Sequence, residues 1–331
     1  MSESESGIIE PRANPDLRGR EREAAILAEA AWSGRLHHAW LMTGPPGIGK
    51  ATLAYRFARA LLAGRIAPDL ALDPADPAFR RVAAGTHADL LTIERRFDEK
   101  RKRLQGEIVV DTVLAAGRFL RLTPGEGGWR VVIVDGAEAM NRNAANALLK
   151  LLEEPPERAI WLLVCHAPGR LLPTIRSRCR RLEMPPLAEP VVRDLLAELL
   201  PGDPAAARLA GLAEGSIGRA LALAQENGVA IASLVDEVIG EGRIPPPRAA
   251  AIADAVARIE DGFVNFMDLL RARLAAATRA RARGAAPPLG RSLDEAASLW
   301  QELGRIAAET DGLNLDPRAA ILTTLRLFQT S

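Results

Sequence analysis

The stretch HHAWLMTGPPGIGKATLAYRFARALLAG, residues 37–64, decides the fold class. Residues 37–44 read as a short buried strand, and residues 50–64 carry the 3.6-residue apolar spacing of an amphipathic helix. Between them lies Gly44-Pro45-Pro46-Gly47-Ile48-Gly49-Lys50. In such a strand–loop–helix context, backbone N–H groups converge on phosphate oxygens and the helix N-terminus adds partial positive charge. The lysine then reaches the terminal phosphates. Gly44, Gly47, Gly49 and Lys50 are therefore candidate nucleotide-binding residues, with a ligand-free glycine-rich turn as the alternative. One position departs from the pattern. The residue after the lysine should carry a hydroxyl for Mg²⁺, and it is Ala51. Thr52 is the nearest hydroxyl and stays a candidate, although one helical step rotates its side chain by about 100° away from that place.

Working outward, the strand–helix alternation repeats. Residues 17–35 and 108–122 have helical spacing, and VVIVD (131–135) and IWLLVCHA (160–167) are continuous apolar runs that read as strands. Asn141 to Glu154 is helical until Pro155 and Pro156 stop it. Unbroken apolar strands separated by helices predict a parallel sheet covered on both faces, hence an α/β domain. Asp135 ends VVIVD, where P-loop proteins place an acid close to Mg²⁺; the alternative is that it caps the following turn. Gly136 stands where a hydrolysing enzyme has a water-activating glutamate, and Glu138 lies too far along the turn to be equated with it.

Residues 1–16 are polar and acidic and are expected to form a disordered arm, followed by the α/β domain at 17–184. Residues 65–106 look less regular, and the charge run 94–103 alternates in sign, as a solvated loop or hairpin does. Beyond Pro185-Pro186 the chain turns to Ala/Leu/Arg helices: a small helical unit at 185–227, a linker near Asn227-Gly228, and a larger helical unit at 228–331 broken by 244–247 and 284–290.

The 331 residues carry 43 Lys+Arg against 42 Asp+Glu, a net charge of +1, which argues against a strongly basic nucleic-acid binder or an acidic tail. Cys165 and Cys179 give little scope for a disulfide framework, the first residues do not form a signal sequence, and no run of about 18 apolar residues occurs. The expected location is the cytoplasm. His37, His38, His87 and His166 have no metal-ligand spacing with the cysteines, so no metal site is expected. Four arginines fall within 176–181, in TIRSRCRR (174–181); they read either as a solvated helix face or as the source of a guanidinium inserted into a neighbour's phosphate site. A second basic stretch, Arg271 to Arg283, lacks interleaved aromatics and reads as a solvated face.

With these residues in hand, the chain resembles the delta-prime family of subunits of bacterial DNA polymerase III clamp loaders. The segments that carry the resemblance are 33–54, 131–156, 171–187 and EGSIGRAL at 214–221. The resemblance implies an AAA+ P-loop core, a small helical lid and an all-α collar through which a five-subunit ring assembles. It implies a stator that lacks efficient hydrolysis, in keeping with Ala51, with Gly136 and with Gly218, which stands where motor subunits carry a sensor arginine; His166 falls near their polar sensor position on the strand. It also makes Arg178 the finger that completes the ATP site of an adjacent motor subunit, which reverses the reading from spacing alone. The implied partners are gamma/tau motor subunits and the delta subunit, with the sliding clamp and primed DNA reached through the complex and no membrane involved. No cofactor is required by this reading; loose ATP or ADP binding at residues 44–52 is left open, and zinc is not expected, because residues 66–90 hold no cysteine. The competing reading is an active AAA+ ATPase, either a motor subunit or a DNA-remodelling enzyme.

Overall fold

The computed structural model describes residues 9–328 apart from 96, 99–102, 105, 127, 225–227, 242, 260, 283–290 and 314. Parts of the expected arm (1–8), of the charge run, of the linker (Asn227) and of the basic stretch (Arg283), and all of 284–290, lie outside the described residues. The chain divides into two compact units, 1–201 with 214–219 and 202–213 with 220–331. The small helical domain expected at 185–227 is thus shared between them.

In the first unit the strands are β1 (Ala39–Thr43), β2 (Leu90–Ile93), the two-residue pair β3 (Phe97–Asp98) and β4 (Arg103–Leu104), β5 (Arg130–Asp135), β6 (Ala159–Cys165) and β7 (Arg180–Glu183). Its helices are α1 (Glu21–Trp32), α2 (Lys50–Leu62), α3 (Pro77–Ala83), α4 (Val110–Leu120), α5 (Arg142–Glu153), α6 (Pro173–Arg178) and α7 (Glu189–Leu199). Five strands form one parallel sheet in the order β2-β5-β6-β1-β7, and β3 and β4 form a separate antiparallel hairpin.

The central strands β1 and β6 are buried along their whole length, as their unbroken apolar runs predict. Successive side chains leave opposite faces of a strand. Trp40, Met42, Ile133 and Leu162 accordingly pack with α1 and α2, whereas Leu41, Val134, Trp161 and Leu163 pack with α4, α5 and α6. Two strands escape the sequence pattern because they lie at the edges. In β7 only Leu182 is buried, and in β2 only Ile93. Residues 176–181 are consequently not one helix face: Arg176 and Arg178 lie on α6, and Arg180 and Arg181 on β7.

Helix boundaries follow local chemistry. The Asn141 side chain accepts from the Ala144 N–H at 2.9 Å and opens α5; the Asp76 carboxylate accepts from Ala78 N–H at 2.7 Å and opens α3, with Pro77 at its first position.

Residues 9–16, expected to be disordered, are instead held against α2. The buried Arg59 donates to the carbonyl of Asn14 at 2.7 Å and lies over the Phe79 ring, and Arg56 donates to the carbonyl of Pro15. A buried guanidinium without acceptors is costly, so the arm's carbonyls and these two arginines stabilise each other. Burial lowers the Arg59 guanidinium to about 10.

The second unit is all-α: α8 (Ala206–Leu212), all but the first turn of α9 (Ile217–Ala224), α10 (Gly228–Glu241), α11 (Pro246–Ala257), α12 (Gly262–Ala282), α13 (Leu293–Leu313) and α14 (Pro317–Leu327). Ile252, Phe266, Leu270, Leu303 and Ile321 are buried in it. Among the described residues no helix is long and apolar enough to cross a membrane.

Candidate functional site

The loop at 44–50 joins β1 to α2 at the carboxyl edge of the sheet, where α/β proteins of this kind bind ligands. Its geometry depends on glycine. Gly47 has φ +70°, and a Cβ there would meet the Ser216 Oγ at 2.4 Å; a Cβ on Gly44 would meet the Met184 carbonyl oxygen at 2.2 Å. The loop is fastened from several sides. Ser216 Oγ donates to the Pro46 carbonyl at 2.9 Å, and the Gly218 N–H donates to the Gly47 carbonyl at 2.9 Å. Gly218 sits so near that a Cβ on it would stand 2.8 Å from Gly47 Cα. Arg20, buried just before α1, donates from Nε to the Ile48 carbonyl at 3.1 Å. Arg20 carries no sequence signature for this; only the fold brings it under the loop.

Lys50 opens α2 and is 3% exposed. Its Nζ donates to the carbonyls of Gly44, at 2.7 Å, and Pro45. Burial lowers its ammonium to about 8, while Glu138 and Asp135 pull in the opposite direction. Gly49 is the left-handed residue before α2, and Ala51 and Thr52 lie half-buried in its first turn. Asp135 ends β5; burial raises its carboxyl, and His166 and Lys50 offset part of that.

Glu138 is still not equated with a water-activating glutamate, but the fold brings it beside the loop. The 3₁₀ turn Ala137–Ala139 swings its carboxylate back to the end of β6. There it accepts from the His166 main-chain N–H at 3.1 Å and lies 2.9 Å from the His166 Nδ1. Burial alone would push the Glu138 carboxyl up, but hydrogen bonds from His166 and from its own backbone outweigh it and bring the group down to about 2. Lys50, Asp135, Glu138 and His166 therefore form one electrostatic cluster beside the loop. Cys165, beneath it, is a buried free thiol that burial raises to about 12. Among the described residues no group of three or more His, Cys, Asp or Glu could hold a metal ion.

Arg178 belongs to a different place. It is the last residue of α6, its side chain is about one-third exposed, and no hydrogen bond or ion pair links it to residues 44–50. Its guanidinium bonds the Thr174 carbonyl at 3.1 Å and pairs with Glu153 at 2.7 Å. Arg180 instead stacks over Trp40, and Arg181 pairs with Glu183 at 3.0 Å.

A five-stranded parallel sheet of this order, with a glycine-rich loop and lysine between its β1 strand and the next helix, defines a P-loop domain of AAA+ type. The family model described as "DNA polymerase III, delta subunit" matches residues 19–188, just over half of the chain, and the chain belongs to that family. It is 43% identical to the DNA polymerase III subunit delta' of Pseudomonas aeruginosa, over 57% of this chain and 57% of that protein. Against subunit delta' of Escherichia coli the identity is 37%, over 60% and 58% respectively. Against subunit tau of Escherichia coli it is 31%, over 73% of this chain and 36% of that one. The match thus spans somewhat over half the length of the delta' relatives. Among solved structures, a gamma subunit-related protein of Thermotoga maritima aligns with a TM-score of 0.48 at 19% identity, covering 94% of this chain and 98% of that one.

Proposed function

We propose that this chain is a non-hydrolysing stator subunit of a bacterial clamp loader. It would hold its place beside gamma/tau motor subunits and a delta subunit, and present Arg178 to the ATP site of the adjacent motor. The complex would load the sliding clamp onto primed DNA. The observation that carries this reading is the set of side chains around the loop, at residues 51 and 136 above all. Lys50 donates to two of the loop's own carbonyls, those of Gly44 and Pro45, and the Gly218 N–H donates to the Gly47 carbonyl. Residue 51 brings no hydroxyl, and Gly136 no carboxylate, so the residues present do not fit Mg²⁺-ATP hydrolysis. The guanidinium of Arg178, about one-third exposed, is by contrast held by a main-chain carbonyl and a half-exposed carboxylate, which a neighbour's phosphates could displace.

The test is turnover and binding of radiolabelled ATP by the purified chain. This reading expects no Mg²⁺-dependent hydrolysis above background. Clear hydrolysis abolished by Lys50→Ala would overturn it in favour of an active ATPase. One observation favours that rival: the ionised Glu138 carboxylate acts on Lys50. It is also the carboxylate that receives two His166 contacts, however, which leaves it poorly placed to take a proton from water.

A further inference from the structure

An open trough of about 520 Å³ runs between α4 and α5, and none of residues 44–50 lines it. From α4 it takes Leu114, Gly117 and Arg118 and, just past the helix end, Arg121, spaced i, i+3, i+4, i+7; from α5 it takes Asn143, Asn146, Lys150 and Leu151. Gly117 sets its depth, because a Cβ there would stand 2.7 Å from a Leu151 methyl, so the two helices approach closely at this point. The surface around it is unusually apolar. Leu114, which lines the trough, is 44% exposed, and Val109 and Leu122, which flank the two ends of α4, are 39% and 62% exposed.

The charge around this apolar floor is one-sided. No acid lines the trough, and among the described residues Arg118, Arg121 and Lys150 form no ion pair. Elsewhere on the same unit some exposed arginines are paired, as Arg18 with Glu198 and Arg81 with Glu126, and others, such as Arg22, Arg35 and Arg176, form no ion pair among the described residues; what marks the trough is that its cations stand together around an apolar floor. Three unpaired cations on the rim of an apolar trough complement an acidic ligand that also has something apolar to bury. A single-stranded nucleic acid fits less well, since no lining side chain is aromatic to stack a base, and phosphates alone would leave the apolar floor uncovered.

We propose that the α4–α5 trough is a docking site for an acidic amphipathic peptide segment of a partner protein. Its apolar anchors would lie over Leu114 and Leu151, and its carboxylates would meet Arg118, Arg121 and Lys150. The stripe from Leu114 to Arg121 is about 10 Å long at 1.5 Å per helical residue, room for about two turns of a helix or three residues of extended chain.

The test uses the intact chain and a fluorescein-labelled peptide of about twelve residues, with leucine and phenylalanine on one helical face and glutamates on the other. Fluorescence anisotropy should show saturable binding, weakened at least about tenfold by Arg118→Glu with Arg121→Glu, and likewise by Leu114→Asp alone. Raising salt from about 50 to about 300 mM should weaken it further, and replacing the peptide's leucines with serine should abolish it. Arg81→Glu, on α3, should leave it intact. These positions are solvent-facing, so thermal melts of the variants should match the parent; if the double variant fails to fold, Leu114→Asp carries the test. Absence of saturable binding, equal binding by the variants, or indifference to the peptide's leucines would overturn the proposal. So would variant-sensitive binding of single-stranded DNA without binding of the peptide, or self-association that the same substitutions abolish.

Discussion

Arg178 Nη2 lies 2.7 Å from Glu153 Oε1, which ties the last residue of α6 to the last residue of α5. Both side chains are substantially exposed, so solvent screens the pair, and a pair of this kind contributes about 0.2–1 kcal/mol. The contact orients the guanidinium without committing it. Glu153→Gln should therefore shift the urea unfolding free energy by less than about 1 kcal/mol. In a reconstituted complex it should leave ATP turnover within about twofold of the parent, because releasing a weak cis pair changes the guanidinium's position more than its charge.

Lys50 gives a pH signature on the alkaline side. Its folded value is about 8 against an ordinary 10.5, so between those values the unfolded chain binds the extra proton. Stability must then rise with pH across that window, by a lysine contribution of about 3 kcal/mol in full. Comparing urea denaturation of the parent and Lys50→Met from pH 7 to about 10 isolates it: the parent should gain stability relative to the variant as pH rises.

Glu138 acts at the opposite end. Its folded value of about 2 lies below the ordinary 4.5, so its stabilisation is complete above pH 4.5 and is lost as pH falls from there toward 2. Burial raises the neighbouring Asp135, which works in the other direction, so the informative quantity is the difference between the parent and Glu138→Gln. That difference should be about 2–3 kcal/mol near neutrality and vanish near pH 2. Replacing His166 with leucine should shrink it by removing the Nδ1 contact while the main-chain N–H remains.

The parts that the sequence exposes and the parts it conceals differ in how local their causes are. The central strands β1, β5 and β6 are buried on both faces, so each appears as an apolar run that needs no knowledge of its neighbours. The glycine-rich loop and its lysine are equally local. β7, read as RRLE, buries one side chain in four, and no propensity distinguishes it from a solvated arginine face. The arm at 9–16 has a disorder-prone composition, and what orders it is a pair of buried arginines more than forty residues away. Glu138 reaches the cluster only because a 3₁₀ turn reverses the chain after Asp135, and Arg20 reaches the loop only through the placement of α1. Arg178 was singled out by its neighbours in sequence, while its partner Glu153 was not.

Gly218 permits a prediction about the loop's closure. Gly218→Ala would force a methyl to within about 2.8 Å of the Gly47 backbone, which cannot swing aside as a side chain can. Overpacking of that kind costs about 1–3 kcal/mol. Hydrogen exchange read by mass spectrometry should show faster exchange in residues 214–219 and in the loop at 44–50. Ser216→Ala, which removes the bond to the Pro46 carbonyl and the acceptor of the Arg219 N–H but introduces no clash, should cost about 1–2 kcal/mol and loosen the same two segments.

The central claim is that Arg178 works on a neighbour's nucleotide while this chain turns over none of its own. An arginine finger supplied in trans contributes about 10³–10⁵ in rate at the site it completes. The most direct measurement is clamp-stimulated ATP hydrolysis by a complex reassembled from purified motor and delta subunits with either the parent chain or Arg178→Ala, after gel filtration shows equal assembly. The account predicts that the site facing this chain falls silent, so that total turnover and clamp loading drop while the other sites continue. Unchanged hydrolysis and loading with Arg178→Ala would contradict it.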